Sequence, residues 1–179
     1  VELLPRILPN EDEEISTMLT QLMAKDGIAV KTNTKVTNLK INGNTVTTTV
    51  EGQTKEDITT ELVLVCVGRT ANTQGLELDR IGVKTEKKRI IVNDKLETSI
   101  PGIYAVGDAV GKVLLAYVAA QEGIVAAENI CGQPARMDYK IIPSCIYTTP
   151  EVASVGLTEK KAKYEGYEIQ IGRFPLSAN

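Results

Sequence analysis

The chain has 179 residues, 42% of them hydrophobic and 24% charged, and carries a net charge of −3. That length buries one good core or parts of two domains, and the composition is that of a globular protein. The slight negative charge gives no electrostatic basis for binding nucleic acid or an anionic membrane, and no apolar run approaches the length of a transmembrane helix. Histidine is absent, so this segment offers no imidazole base or metal ligand. No signal peptide is visible at Val1, and a start without Met reads as a fragment or a processed chain. Cys66, Cys131 and Cys145 are odd in number, far apart and embedded in apolar surroundings. They are expected to be buried, inert thiols in a reducing compartment.

In chain order, Val1-Glu2-Leu3 reads as the end of a strand, followed by a Pro-containing loop to Asn10. Glu11–Asp26 then carries Ile15, Met18, Leu19, Leu22 and Met23 at helical spacing. The acids Glu11 to Glu14 suit its first turn as a solvated, dipole-matched helix start, and Gly27 suits its end. From Ile28 the period changes to two. Ile28–Lys31, Lys35–Ile41 and Thr45–Val50 read as strands, the last two joined by a hairpin turn at Asn42-Gly43-Asn44. Ile58–Gly68 (ITTELVLVCVG) ends in a continuous apolar run, the pattern of a central parallel strand covered on both faces.

Lys84–Arg89 (KTEKKR) reads as a solvated turn, and Ile90–Val92 and Ile103–Val106 as short strands. A long helix is predicted over Val113–Cys131, closed by Gly132 and Pro134, with an apolar face of Leu115, Val118, Ala119, Ile124, Ala127 and Ile130. A boundary falls near Asp138–Pro143. Beyond it, Ser144–Thr148 and Val152–Val155 read as strands around Pro150. Thr158 caps a short basic helix ending at Gly166, and Tyr167–Phe174 begins another strand.

The chemistry concentrates at Gly107-Asp108. An apolar strand running into a glycine and one acid, just before a helix opening at Val113-Leu114-Leu115, puts a carboxylate beside a helix N-terminus. Such a site suits a polyol- or phosphate-bearing cofactor. Gly-Asp alone reads more readily as an ordinary strand–loop–helix crossover with an Asp cap. Thr98, Pro101, Ile103, Tyr104, Ala105, Gly107 and Asp108 together resemble the second flavin-contact motif, T-x-x-P-x-I-Y-A-x-G-D, of the FAD-dependent pyridine nucleotide-disulfide oxidoreductases. The resemblance implies that Asp108 binds the ribityl chain of FAD. It also implies that Leu114, Leu115, Ala116 and Tyr117 meet the flavin, where the family commonly shows M-L-A-H.

Glu2 lies in V-E-x-x-x-x-x-L-P, where NAD-using members carry the acid for the adenosine ribose hydroxyls; only Arg6 is a nearby cation. The stretch Cys66-Val67-Gly68-Arg69, with Asn72, is similar to the family's apolar-x-x-G-R-x-x-N, which carries Gly68 and Val36 over as NAD contacts. Arg69 itself reads as a surface cation. From Ile142 to Glu159 the chain resembles the opening of the family's dimerisation domain. Its Y-T-x-P-E-V-A-x-V-G-x-T-E is most similar to the branch that oxidises dihydrolipoamide, whereas glutathione reductases usually show F-T-H-P-P.

The fold class implied is α/β, with partial Rossmann-like three-layer FAD/NAD(P)-binding domains followed by the start of an α+β dimerisation domain. The resemblance assigns residues 1–73 to the second half of an NAD-binding domain, 74–140 to the end of an FAD-binding domain and 141–179 to the interface domain. It implies a homodimeric flavoenzyme, cytoplasmic or in the mitochondrial matrix, that oxidises dihydrolipoamide through a disulfide and FAD and reduces NAD. A 2-oxo acid dehydrogenase or glycine cleavage complex would be its partner, and neither nucleic acid nor membrane is implied. The redox cysteine pair, both glycine motifs and the His-Glu pair are missing from these residues, so the chain alone is expected to be inert. Two alternatives stay open: another flavoprotein disulfide reductase or NADH oxidase-like enzyme, and a non-catalytic nucleotide-binding module.

Overall fold

The structure, a computed structural model, describes residues 1–176. These form two compact units, one made of Val1–Val65 with the segment from Pro143 onward, the other of Cys66–Ile142.

In the first unit, α1 covers Glu13–Lys25, with Asp12 as N-cap and Gly27 just beyond its end at φ +82°. Its inward face is rotated from the apolar count. Ser16 and Leu19 are buried, while Ile15 and Met18 are exposed. Ser16 tolerates this position because its Oγ donates to the carbonyl of Ile7 at 2.6 Å. The acidic start is not simply solvated. Glu11 is buried, Asp12 Oδ1 accepts the backbone N–H of Glu159 at 2.8 Å, and Glu14 pairs with Arg173.

Strands β1 (Lys35–Asn42), β2 (Thr45–Glu51) and β3 (Lys55–Thr60) make an antiparallel meander in that order. Gly43 at φ +61° makes the first hairpin turn, and a register shift between Val36 and Asn38 marks a bulge in β1. Val50, in the middle strand, is fully buried. Ile28–Lys31 is no ladder strand, although the Lys31 carbonyl accepts the Glu2 N–H at 2.7 Å.

The expected central strand over Leu62–Val67 does not form. The segment has no ladder hydrogen bonds, and Leu62, Leu64 and Val67 are 87%, 87% and 93% exposed. A doubly covered strand needs neighbours on both edges and layers on both faces, and no other described segment supplies them.

In the second unit, β4 (Thr85–Glu86) and β5 (Arg89–Ile90) form a two-residue hairpin whose central Lys87 and Lys88 both have positive φ. The basic stretch is therefore a hairpin rather than only a turn. Ile103–Val106 is reduced to an isolated bridge between Glu97 and Tyr104. Helix α2 runs Ala116–Ile130, so Val113, Leu114 and Leu115 lead into it rather than open it. Val118, Glu122, Val125 and Ala126 face inward at helical spacing, and Ile124, Ala127 and Ile130 are exposed. The core joins Leu96, Val125 and Ala126, with Val92, Tyr104, Ala135 and Met137 against them. Leu96 adopts φ +68° with no exposed surface; burial of its side chain outweighs the left-handed conformation.

Strands β6 (Pro143–Ile146) and β7 (Val152–Val155) pair antiparallel as expected. Helix α3 (Glu159–Tyr164) is capped by Thr158, whose hydroxyl accepts the Lys161 N–H at 3.3 Å. No strand forms over Tyr167–Phe174. All three cysteines are free and exposed, against the burial expected of them, because the apolar stretches around them are themselves uncovered.

Truncating Leu96 to Ala is expected to cost about 2–5 kcal/mol. Ile130→Ala, on the exposed side of α2, should stay within about 0.5 kcal/mol. Urea unfolding followed by circular dichroism separates the two; equal shifts would contradict this core assignment.

Candidate cofactor site

The Gly107-Asp108 turn is built from below by α2. Val106 is extended, Gly107 turns at φ +69°, and a single 3₁₀ turn covers Gly107–Ala109. A side chain at position 107 would be strained and would bring its Cβ within 3.1 Å of Ala119 Cβ, so glycine lets the turn lie directly on the helix. Glu122, one helical turn further along α2, is 1% exposed and accepts the Gly107 N–H on Oε2 at 2.5 Å. Its Oε1 accepts the Tyr139 hydroxyl at 2.6 Å. Tyr139 thereby holds its proton well above the ordinary tyrosine range, first through burial and then through its bond and charge interaction with Glu122. Lys112 Nζ sits 4.7 Å from the centre of the Tyr139 ring, a cation–π contact.

With Gly107 held from below, Asp108 stands at the surface, its side chain 43% exposed. One oxygen, Oδ2, pairs with Arg69 Nη2, and Arg69 Nη1 donates to the carbonyl of Leu114 at 3.5 Å. The other, Oδ1, has no hydrogen bond among the described residues. An ion pair this exposed contributes less than about 1 kcal/mol, so a ligand's hydroxyls can compete with Arg69 for the carboxylate. The first turn of α2 has Leu115 as N-cap and no side-chain cap, so the N–H groups of Ala116 and Val118 are not met by a capping side chain. A carboxylate with an open oxygen beside a helix start without a side-chain cap offers an acceptor for a polyol's hydroxyls and N–H donors for an electron-rich ring edge, which fits the ribityl chain and flavin of FAD.

Of the residues singled out from sequence, Asp108 and Leu114 are brought together by Arg69. Leu114 and Leu115 are half-buried, and Ala116 and Tyr117 lie exposed in the first turn of α2. Gly68, in the same unit, has φ +124°, a conformation reserved for glycine, and open space where a Cβ would be. Glu2 and Val36 belong to the other unit. Glu2 Oε1 accepts the Leu4 N–H at 2.8 Å, and Val36 faces Val50 at the β1 bulge. Arg69 and Glu122 were not singled out as site residues. Glu122 has no local sequence signal, and Arg69, although it lies in the G-R-x-x-N stretch, pairs with a carboxylate distant in the chain.

A glycine–acid turn leading to a helix start without a side-chain cap is an arrangement suited to the dinucleotide-cofactor-binding class of proteins. The profile of the pyridine nucleotide-disulphide oxidoreductases matches residues 1–123, and that of their dimerisation domain matches residues 142–179. A dihydrolipoyl dehydrogenase of Thermus scotoductus is 42% identical over the whole chain, which covers 40% of that protein. A mitochondrial dihydrolipoyl dehydrogenase of Pisum sativum is 40% identical, again over the whole chain and 36% of its own length. Among solved structures, LpdA from Mycobacterium tuberculosis superposes with a TM-score of 0.83 at 26% identity, over 91% of this chain and 36% of that one. The flavoprotein disulfide reductase RclA of Escherichia coli shares the fold, at a TM-score of 0.86 and 24% identity over 98% of this chain and 40% of its own. The chain belongs to the pyridine nucleotide-disulphide oxidoreductase family, with its Rossmann-like α/β fold and dimerisation domain, and spans well under half the length of these relatives.

The Tyr139–Glu122 bond carries a pH signature. The folded phenol keeps its proton more tightly than the unfolded one, so its stabilisation is complete below the unfolded value of 10.0 and is lost as pH rises through the folded value. The stability gap between the wild type and Tyr139→Phe, read by urea unfolding, should therefore be constant up to about pH 9 and narrow above about pH 10. A gap that stays constant into the alkaline range would contradict the bond.

Proposed function

We propose that this chain provides the NAD- and FAD-contacting segments of a dihydrolipoyl dehydrogenase. The observation that carries the reading is Asp108 itself. Its carboxylate has an open oxygen beside an uncapped helix start, within a sequence 42% identical along its whole length to a dihydrolipoyl dehydrogenase. When bound, FAD would relay electrons between a dithiol–disulfide couple and a nicotinamide. This chain's residues hold and orient. Asp108 accepts ribityl hydroxyls, and the amides leading α2, after Leu114 and Leu115 and beginning at Ala116 and Tyr117, face the flavin. Glu2 accepts the adenosine ribose hydroxyls of NAD, and Gly68 and Val36 are each carried over as NAD contacts. In this reading residues 1–73 serve NAD, 74–140 serve FAD, and 141–179 begin the homodimer interface.

Among the described residues the three cysteines are free, and none is paired as a redox disulfide. The dithiol step therefore needs cysteines other than these, and the purified 179-residue chain should show no lipoamide-dependent NADH oxidation. No described helix is long and apolar enough to cross a membrane. Relatives named mitochondrial support the mitochondrial alternative for this chain's setting. A 2-oxo acid dehydrogenase or glycine cleavage complex is the assembly in which dihydrolipoamide would be presented.

Losing hydrogen bonds to a charged acceptor costs about 1.5–3 kcal/mol. Asp108→Ala should therefore weaken FAD binding by roughly ten- to a hundredfold. Glu2→Gln should weaken NAD and leave FAD unaffected. Flavin fluorescence quenching and calorimetry with NAD read these separately, and FAD binding indifferent to Asp108→Ala would overturn the assignment.

A further inference from the structure

We propose that Glu122 and Tyr139 are positioning residues for Asp108. In this arrangement a buried carboxylate, filled by a backbone N–H on one side and a phenol on the other, sets the angle at which the Asp108 carboxylate is offered to a polyol ligand. This deepens the FAD reading and rests on it for the identity of the ligand.

Gly107 is buried, and its N–H has one acceptor, Glu122 Oε2, at 2.5 Å. Glu122 cannot turn away, because Tyr139 donates to its second oxygen at 2.6 Å and the residue is 1% exposed. A carboxylate so enclosed keeps both partners or loses its place. Tyr139 also receives Lys112 on its ring, so one side chain steadies the turn through Glu122 and the loop before α2 through Lys112. Asp108 sits between these two anchored points. Among the described residues it makes no hydrogen bond with Glu122 or Tyr139, so their influence passes through the Gly107 backbone. A helix facing a dry core would ordinarily place an apolar residue at position 122. The network explains why an acid is there.

Two readouts test this: the FAD dissociation constant by fluorescence quenching, and hydrogen exchange of the Gly107 amide by NMR. Tyr139→Phe and Glu122→Ala are expected to weaken FAD by about tenfold and to lower Gly107 protection by a similar factor. Glu122→Gln should restore both most of the way, since its amide oxygen still accepts from Gly107 and its NH₂ can donate to the Tyr139 oxygen. Val125→Ala, a core truncation elsewhere on α2, should lower stability while leaving FAD affinity and Gly107 protection near wild type.

If the wild type binds FAD and Tyr139→Phe and Glu122→Ala bind it equally well, the proposal is overturned. It is also overturned if Val125→Ala weakens binding as much as they do. A wild-type chain that takes up no FAD would overturn the functional reading instead. Gly107 exchange would then decide the positioning role alone: protection lost in Glu122→Ala and Tyr139→Phe but kept in Val125→Ala upholds it, and protection unchanged in all three refutes it.

Discussion

A carboxylate that is 1% exposed must have its oxygens filled, because an unpaired buried charge costs several kcal/mol while a fully bonded one is tolerated. Glu122 meets that condition with the Gly107 N–H and the Tyr139 hydroxyl, and in doing so ties together three stretches of chain. The turn at Gly107 is pinned onto α2, the segment reaching Tyr139 is drawn across it, and Asp108 is left facing outward. On the outward side, Arg69 reaches both Asp108 and the carbonyl of Leu114.

Elements whose causes are local were legible. Helix α1 has an acidic first turn and a glycine just past its end, the β1–β2 hairpin has its Asn-Gly turn, and α3 has its Thr158 cap. Elements that depend on distant partners were not. Leu62–Val67 has every strand preference and forms none, since a strand is stabilised by neighbours and covering layers rather than by its own residues. Ile103–Val106 and Tyr167–Phe174 fall short for the same reason. The faces of α1 and α2 were misjudged by counting apolar residues. Ser16 and Glu122 are buried because each has a hydrogen-bond partner that the sequence does not reveal, and the large apolar residues beside them face out.

At the site, Asp108 was legible because its glycine, acid and following helix are consecutive. Arg69 reads from sequence as a surface cation, and its G-R-x-x-N stretch does not reveal the carboxylate 39 residues away that it pairs with. Glu122 was hidden similarly, sitting where helical periodicity expects an apolar side chain. Family likeness names the ligand-facing residue more readily than the residues that hold it in place, because the former belongs to a short contiguous motif. Glu2, Val36 and Gly68 are assigned to NAD by the likeness alone. What the structure adds is local: a capped turn at Glu2, a bulge at Val36 and a glycine-only backbone at Gly68.

The central proposal is that the turn at Asp108 and the start of α2 together form a surface for the ribityl chain and the flavin ring of FAD. An amide NMR titration of the 179-residue chain with FAD tests it most directly. Saturable shifts should concentrate at Asp108 and at Ala116 to Val118, with Ile124 and Ile130 on the far side of α2 unmoved. Shifts scattered over the apolar stretch Leu62–Val67, with none at Asp108 or the α2 start, would contradict it.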